Sequence, residues 1–192
     1  MVRWEPGARE RLVVAAVDLF FEHGYDATTV AQIAERASVT KSTFFRHFSD
    51  KRELLVAGQA TLSRLLAEGI SAASPDATPL AAVAEGLRRA SREMGPVSRK
   101  LGSRIKAAVA ASTELQERDA LKSVGLAAAM ADALATRGVP ALAARVAAEL
   151  GLLAFKQGYA SWVEADGADD IGLEPYALAA LDELRSVTRA LS

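Results

Sequence analysis

Apolar positions recur every three to four residues along almost the whole chain, which is the spacing of a helix face; no segment alternates residue by residue as a half-buried strand does. Alanine, the best helix former, is abundant. The first predicted helix runs from about Ala8 to Glu22, with Leu12, Ala16, Leu19 and Phe20 as its inward stripe. His23 and Gly24 close it. Thr29 and Gln32 form a capping box for a second helix, whose inner face is Val30, Ile33, Ala34 and Ala37. After a break at Ser38-Val39, Thr40 caps a third helix of barely two turns, with Val39 and Phe44 at staple positions. Asp50 with Glu53 repeats the capping pattern for a fourth, expected to run to about Gly69. Ser71 to Pro79 reads as a linker between subdomains. Five more helices are predicted at about 79–94, 97–112, 114–137, 140–165 and 174–190. The expected fold class is all-α, with about nine helices: an N-terminal three-helix helix-turn-helix domain over residues 1–50, then a C-terminal helical bundle over 51–192.

Composition removes several function classes. The 192 residues can bury a sizeable core. No apolar run approaches the length of a membrane span, and the start MVRWEPGARERL lacks the apolar stretch of a secretory signal. There is no cysteine, which excludes disulfides, cysteine nucleophiles and thiolate zinc sites. A cytoplasmic protein without membrane contact is expected. Both histidines, His23 and His47, lie in the first quarter of the chain, and no G-x-S-x-G, Walker loop or G-x-G-x-x-G occurs. The chain therefore reads as a non-enzyme with no catalytic residues, metal or cofactor. The acidic segment Asp166, Asp169, Asp170 and Glu174 fails the EF-hand register and reads as a solvated turn.

Charge matters by position rather than in total. The formal net charge is −1, yet Arg36 to Arg52 holds five cations and one acid, Asp50. Overlapping that span, Thr40 to Leu55 (TKSTFFRHFSDKRELL) mixes three phenylalanines with Lys41, Arg46, His47, Lys51 and Arg52. The aromatics favour burial and the cations favour an anion. Phe44 and Phe48, four residues apart, are expected to point inward with Val39 and Leu54, fastening a helix too short to persist alone. The opposite face then carries Thr40, Lys41, Ser42, Thr43 and His47. Helix starts at Thr29, Thr40 and Asp50 add N–H groups and positive dipole ends. Helices two and three match a helix-turn-helix, and the anion that fits is a DNA backbone, with the third helix in a major groove. Alternatives stand beside this reading. Phe45 either meets the groove or packs on the first helix. His47 either meets a phosphate or caps its helix. Lys41 and Lys51 either meet phosphates or are solvated, and Arg46 and Arg52 are open between the two.

Ala8 to Leu55 resembles the DNA-binding domain of the TetR family of transcriptional regulators. The resemblance rests on "hGY-x-x-TTV-x-x-IA", then "K-x-T-x-aromatic-x-H-F", then "K-x-x-L". It implies that Thr29 and Lys51 meet phosphates, that Thr40, Lys41, Ser42 and Thr43 sit at the major groove, and that Phe45 and His47 touch the backbone edge. Three positions depart from the pattern. Ser38 and Ser42 stand where glycine is usual, and Phe45 stands where tyrosine is usual. Phe45 lacks a phenol oxygen, so apolar contact is left to it, for example with a thymine methyl. Ser38 must accept the turn geometry of a glycine, with strain if φ is positive.

The resemblance further implies a homodimer whose last two helices build a four-helix interface, reading a palindromic operator in double-stranded DNA. Leu178, Leu181, Leu184 and Val187 form an apolar stripe suited to it, continued by Leu191; burial in the chain's own bundle is the alternative. It implies an effector cavity among the helices from about 79 to 165. Met94, Met130, Phe155, Tyr159 and Trp162 are the candidate lining, with ordinary core as the alternative. Arg99, Lys100, Arg104 and Lys106 either greet an anionic head group or form a wet surface. The expected function is a ligand-responsive DNA-binding regulator, a repressor released by a small apolar or aromatic effector that moves helix four, continuous with Lys51. The rivals are an all-helical small-molecule carrier or catalyst that retains the N-terminal motif, and a protein-binding module.

Overall fold

The structure, a computed structural model, describes residues 7–165 and 171–191. Among them are nine α-helices, one 3-10 segment and no strand. The chain divides into two compact units. One comprises residues up to Gly58 together with Leu101–Leu121; the other comprises Gln59–Lys100 and Lys122 onward. No helix among the described residues is long and apolar enough to cross a membrane.

The first unit is built on α1 (Ala8–His23), α2 (Val30–Arg36) and α3 (Lys41–His47), followed by the 3-10 segment Lys51–Val56. Leu12, Phe20, Ile33, Phe44, Leu54 and Leu115 fill its core. The α1–α2 connection depends on Gly24, whose φ of 83° and ψ of 159° lie in a region open essentially only to glycine. Its N–H donates to the Phe20 carbonyl at 3.0 Å. The buried Thr28 hydroxyl donates to the Gly24 carbonyl at 2.8 Å. Tyr25 then packs edge-on against Phe20, with ring centroids 5.1 Å apart.

The second unit contains α4 (Gln59–Ala72), α5 (Pro79–Arg92), α8 (Ala141–Glu164) and α9 (Leu173–Ala190); α6 (Pro96–Ala110) and α7 (Thr113–Thr136) contribute residues to both units. Leu66, Ile70, Val83, Leu87, Met130 and Leu134 lie at the centre of its core. Glycine lets α4 and α5 touch backbone to backbone. A Cβ on Gly69 would meet the Glu85 carbonyl oxygen at 2.5 Å, and one on Gly86 would meet the Leu66 carbonyl oxygen at 2.8 Å.

Two expectations are corrected. The single helix from Asp50 to Gly69 is instead the 3-10 segment, a turn at Ala57-Gly58, and then α4. Asp50 explains the start of the 3-10 segment: its carboxylate accepts from the N–H groups of Arg52 (2.8 Å) and Glu53 (3.2 Å). The Glu53 carboxylate in turn accepts from the N–H of Ser49 at 2.8 Å. Gly58 disfavours helical continuation, and the Arg9 guanidinium takes the Ala57 carbonyl that a continued helix would use. The second correction concerns Ser71 to Pro79. It is a tight α4–α5 connection inside one unit, closed by Thr78 capping α5 through the Ala81 N–H, with Pro79 at the first helical position.

Candidate nucleic-acid interface

α3 has seven residues, and its sequence divides it cleanly. Phe44 is wholly buried and Phe48 nearly so, their ring centroids 5.8 Å apart. Thr40 caps the helix, its hydroxyl oxygen accepting from the Thr43 N–H at 3.1 Å. Lys41, Ser42, Phe45 and Arg46 are exposed, while Thr43 and His47 are half-buried. Phe45 is 57% exposed and stands edge-on to Phe44, with ring centroids 5.3 Å apart. An outward phenylalanine on so small a helix is surface the unit does not need for its own core.

α2 is positioned by its cap. The Thr29 hydroxyl accepts from the Gln32 N–H (3.3 Å), and the Gln32 side-chain oxygen accepts from the Thr29 N–H (2.8 Å), the predicted capping box. Between α2 and α3, Ser38 has φ of 54°. A left-handed conformation costs an L-residue with a Cβ about 1–2 kcal/mol, and glycine gives part of that back as chain entropy. Ser38→Gly is therefore expected to stabilise the first unit by about 0.5–1 kcal/mol in chemical denaturation, with helix content unchanged.

The cations separate into committed and free. Arg36 forms a two-pronged pair with Glu22 (2.8 and 3.0 Å), which holds the Glu22 carboxyl below its usual range. Arg52 is tied to Asp50 and lies 3.7 Å from Glu114; its side-chain hydrogen bond leads the effects that depress the Asp50 carboxyl. Lys51 donates to the carbonyls of Tyr25 (2.7 Å) and Thr28 (3.0 Å), with its ammonium 4.1 Å from the centroid of the Tyr25 ring. It therefore binds the 3-10 segment to the α1–α2 connection. Burial, reinforced by the neighbouring Glu114 carboxylate, pushes the Tyr25 phenol up to about 12, so it stays neutral beside that ammonium. Among the described residues, Lys41 and Arg46 have no ion pair. Sequence alone leaves Arg46 and Arg52 open; Arg52 is tied to Asp50, while the exposure of Arg46 beside Phe45 places it with the free set.

The second unit holds the remaining candidates. Met130 and Phe155 are buried in the core, and Met94 is half-buried against it. Phe155 stacks on Tyr159 at 6.3 Å. The polar ends expected to face a ligand are taken by the protein: the Tyr159 hydroxyl donates to the Ser98 carbonyl (2.7 Å), and the Trp162 indole N–H to the Ile171 carbonyl (2.9 Å). Burial pushes the Tyr159 phenol up to about 12. The predicted basic face is also partly committed. Arg99 donates to the carbonyls of Trp162 and Ala165, and, in the first unit, Arg104 pairs with Asp18 and lies over the Phe21 ring. On α9, Leu181 is buried in the core of its own unit; Leu178 and Leu184 are half-buried against that core, and Val187 is exposed. Asp166, Asp169 and Asp170 lie outside the described residues. Glu174 pairs with Arg92 at 3.1 Å, and no metal-holding group of carboxylates and histidines occurs among the described residues.

Comparison with known proteins follows this division of the chain. Residues 12–57 match the family described as bacterial regulatory proteins, tetR family. The HTH-type transcriptional regulator TcmR of Streptomyces glaucescens is 34% identical over 80 residues, covering 42% of this chain. The match spans only 35% of that regulator's length. Among solved structures, a SmeT–triclosan complex has a TM-score of 0.62 at 22% identity, covering 95% of this chain and 91% of that one. FadR from Thermus thermophilus, a TetR-family repressor solved with lauroyl-CoA, has a TM-score of 0.53 at 22% identity, covering 91% of each chain. These last two likenesses are of fold.

Proposed function

We propose that this chain, whose residues 12–57 match the tetR family of bacterial regulatory proteins, is a ligand-responsive DNA-binding transcriptional regulator of that family, acting as a homodimeric repressor on a palindromic operator. The observation that carries the reading is the two-sided α3. Phe44 anchors it, and Lys41, Ser42, Phe45 and Arg46 are exposed on its other side, Phe45 with only an edge contact to Phe44. In this proposal Thr40, Lys41, Ser42 and Thr43 approach the major groove, Phe45 contributes apolar contact there, and Thr29, His47, Arg46 and the Lys41 ammonium meet backbone phosphates. Lys51 is chiefly a positioning residue, since its donors already hold the carbonyls that set the approach to Thr29.

The dimer reading is supported by apolar side chains that the second unit leaves in solvent. Leu142, Val146 and Leu153 on α8 are exposed, as are Val187 and Leu191 at the end of α9. Isolated exposed apolar residues are ordinary, but a recurring set on the last two helices fits a symmetric contact. Two heads brought to a spacing of about 34–36 Å would meet successive turns of one duplex face.

A small-molecule effector is supported by the triclosan and lauroyl-CoA complexes of the two structural neighbours. The break at Ala57-Gly58 argues against helix four as a rigid lever on Lys51. α6 and α7, each with residues in both units, are the proposed route, with Arg104 linking α6 to Asp18 and Phe21 of α1. An effector shifts DNA affinity only as far as it prefers one form of the dimer over the other. The test is a gel shift with the DNA upstream of the protein's own coding region, at two salt concentrations. A shifted band that weakens steeply with salt supports the reading; no shift at either concentration refutes it.

A further inference from the structure

A recess of about 430 Å³ opens in the second unit between the end of α5 and the start of α9. Of the five expected cavity residues, Met94 alone is among its lining; the others are Ser91, Arg92 and the first turns of α9. Three observations bear on what it takes. Ser91 is 3% exposed, and its hydroxyl has no hydrogen-bond partner among the described residues. Buried hydroxyls are nearly always satisfied, so this one calls for an acceptor or donor from elsewhere. α9 begins at Gly172 without a side-chain cap, leaving the first-turn N–H groups of Leu173 and Glu174 without an intrahelical acceptor at the positive end of an eighteen-residue helix. The apolar lining is Met94, Leu173, Pro175 and Leu178. Arg92 and Glu174 also line the recess and pair at 3.1 Å, and Arg88 lies 3.8 Å from the same carboxylate, so the Glu174 charge is compensated.

We propose that this recess binds a small carboxylate with an apolar body. The carboxylate accepts from the Ser91 hydroxyl and from the opening N–H groups of α9, while the body packs on Met94 and Leu178. The volume lies within the range of small-molecule sites. The proposal deepens the effector reading above, on which it rests, by assigning the ligand a place and a chemical class.

The test is calorimetric titration of the full chain with octanoate, with octanol as the uncharged probe of equal length. Octanoate is expected to bind once per chain and more tightly than octanol. Ser91→Ala should weaken octanoate about tenfold and octanol by much less, because a hydroxyl binds a carboxylate more strongly than an alcohol oxygen. A general disturbance of the fold would weaken both alike. Met94→Trp, which fills the recess, should remove both heats. No octanoate binding at millimolar concentration overturns the assignment, as does binding that both variants leave intact. The gel shift without any probe judges the regulator reading separately.

Discussion

Phe44→Ala is expected to lower the stability of the first unit by about 3–5 kcal/mol and to abolish DNA binding. The ring is wholly buried, packs against Phe45 and Phe48, and is the one fully buried side chain of a seven-residue helix. Such a helix cannot persist without that anchor, because its backbone hydrogen bonds do not offset the ordering of so few residues. A domain stabilised by only about 5–15 kcal/mol would lose much of its reserve. The measurement is urea denaturation followed by near-ultraviolet circular dichroism, beside a DNA titration. Phe45→Ala is the matched contrast. It removes the neighbouring ring, which is more than half exposed, so stability should change by no more than about 1 kcal/mol while DNA affinity falls. Equal stability losses in the two variants would refute the division of α3 into an anchoring and a reading side.

The second large effect concerns assembly. Val146→Glu combined with Leu153→Glu places two charges on exposed apolar positions of α8. If those positions meet their copies in a dimer, burying the carboxylates costs far more than the contact returns, and the chain becomes monomeric. DNA affinity should then fall about 100-fold or more, since each head binds without the effective concentration its twin supplies. Sedimentation equilibrium reads the assembly, and helix content checks the fold. A variant that still sediments as a dimer with unchanged DNA affinity would place the interface elsewhere.

What the sequence made legible follows from the range of the forces involved. Helix boundaries came out within about two residues where a local device sets them, such as the Thr29–Gln32 capping box or Thr78 before Pro79. The inward turn of Phe44 and Phe48 was legible for the same reason, as both follow from spacing within one helix. Ser38 was read as a glycine position, and its φ of 54° bears that out. The fates of the cations were hidden because they depend on distant partners. Arg36 finds Glu22 fourteen residues earlier, Arg52 lies near Glu114, and Lys51 reaches back to Tyr25 and Thr28. Sequence alone ran one helix from Asp50 to about Gly69, whereas Asp50 and Arg9 together favour ending the turn before Gly58. On α9 a single apolar stripe contains both Leu181, which its own unit buries, and Val187, which it does not; periodicity gives a direction and not a partner. The recess at Ser91 depends on α5 and α9 lying together, which no local pattern announces.

Salt dependence of binding to a duplex carrying the operator, compared between the unaltered chain and the Lys41→Ala, Arg46→Ala double variant, probes the outer side of α3 most directly. Both side chains are exposed cations with no ion pair among the described residues, so their removal should leave thermal unfolding unchanged. Each lost phosphate contact flattens the plot of log affinity against log salt by about 0.9, so two should flatten it by about 1.8 per head. A slope and affinity equal to those of the unaltered chain, with the fold intact, would mean that this side of α3 does not face DNA.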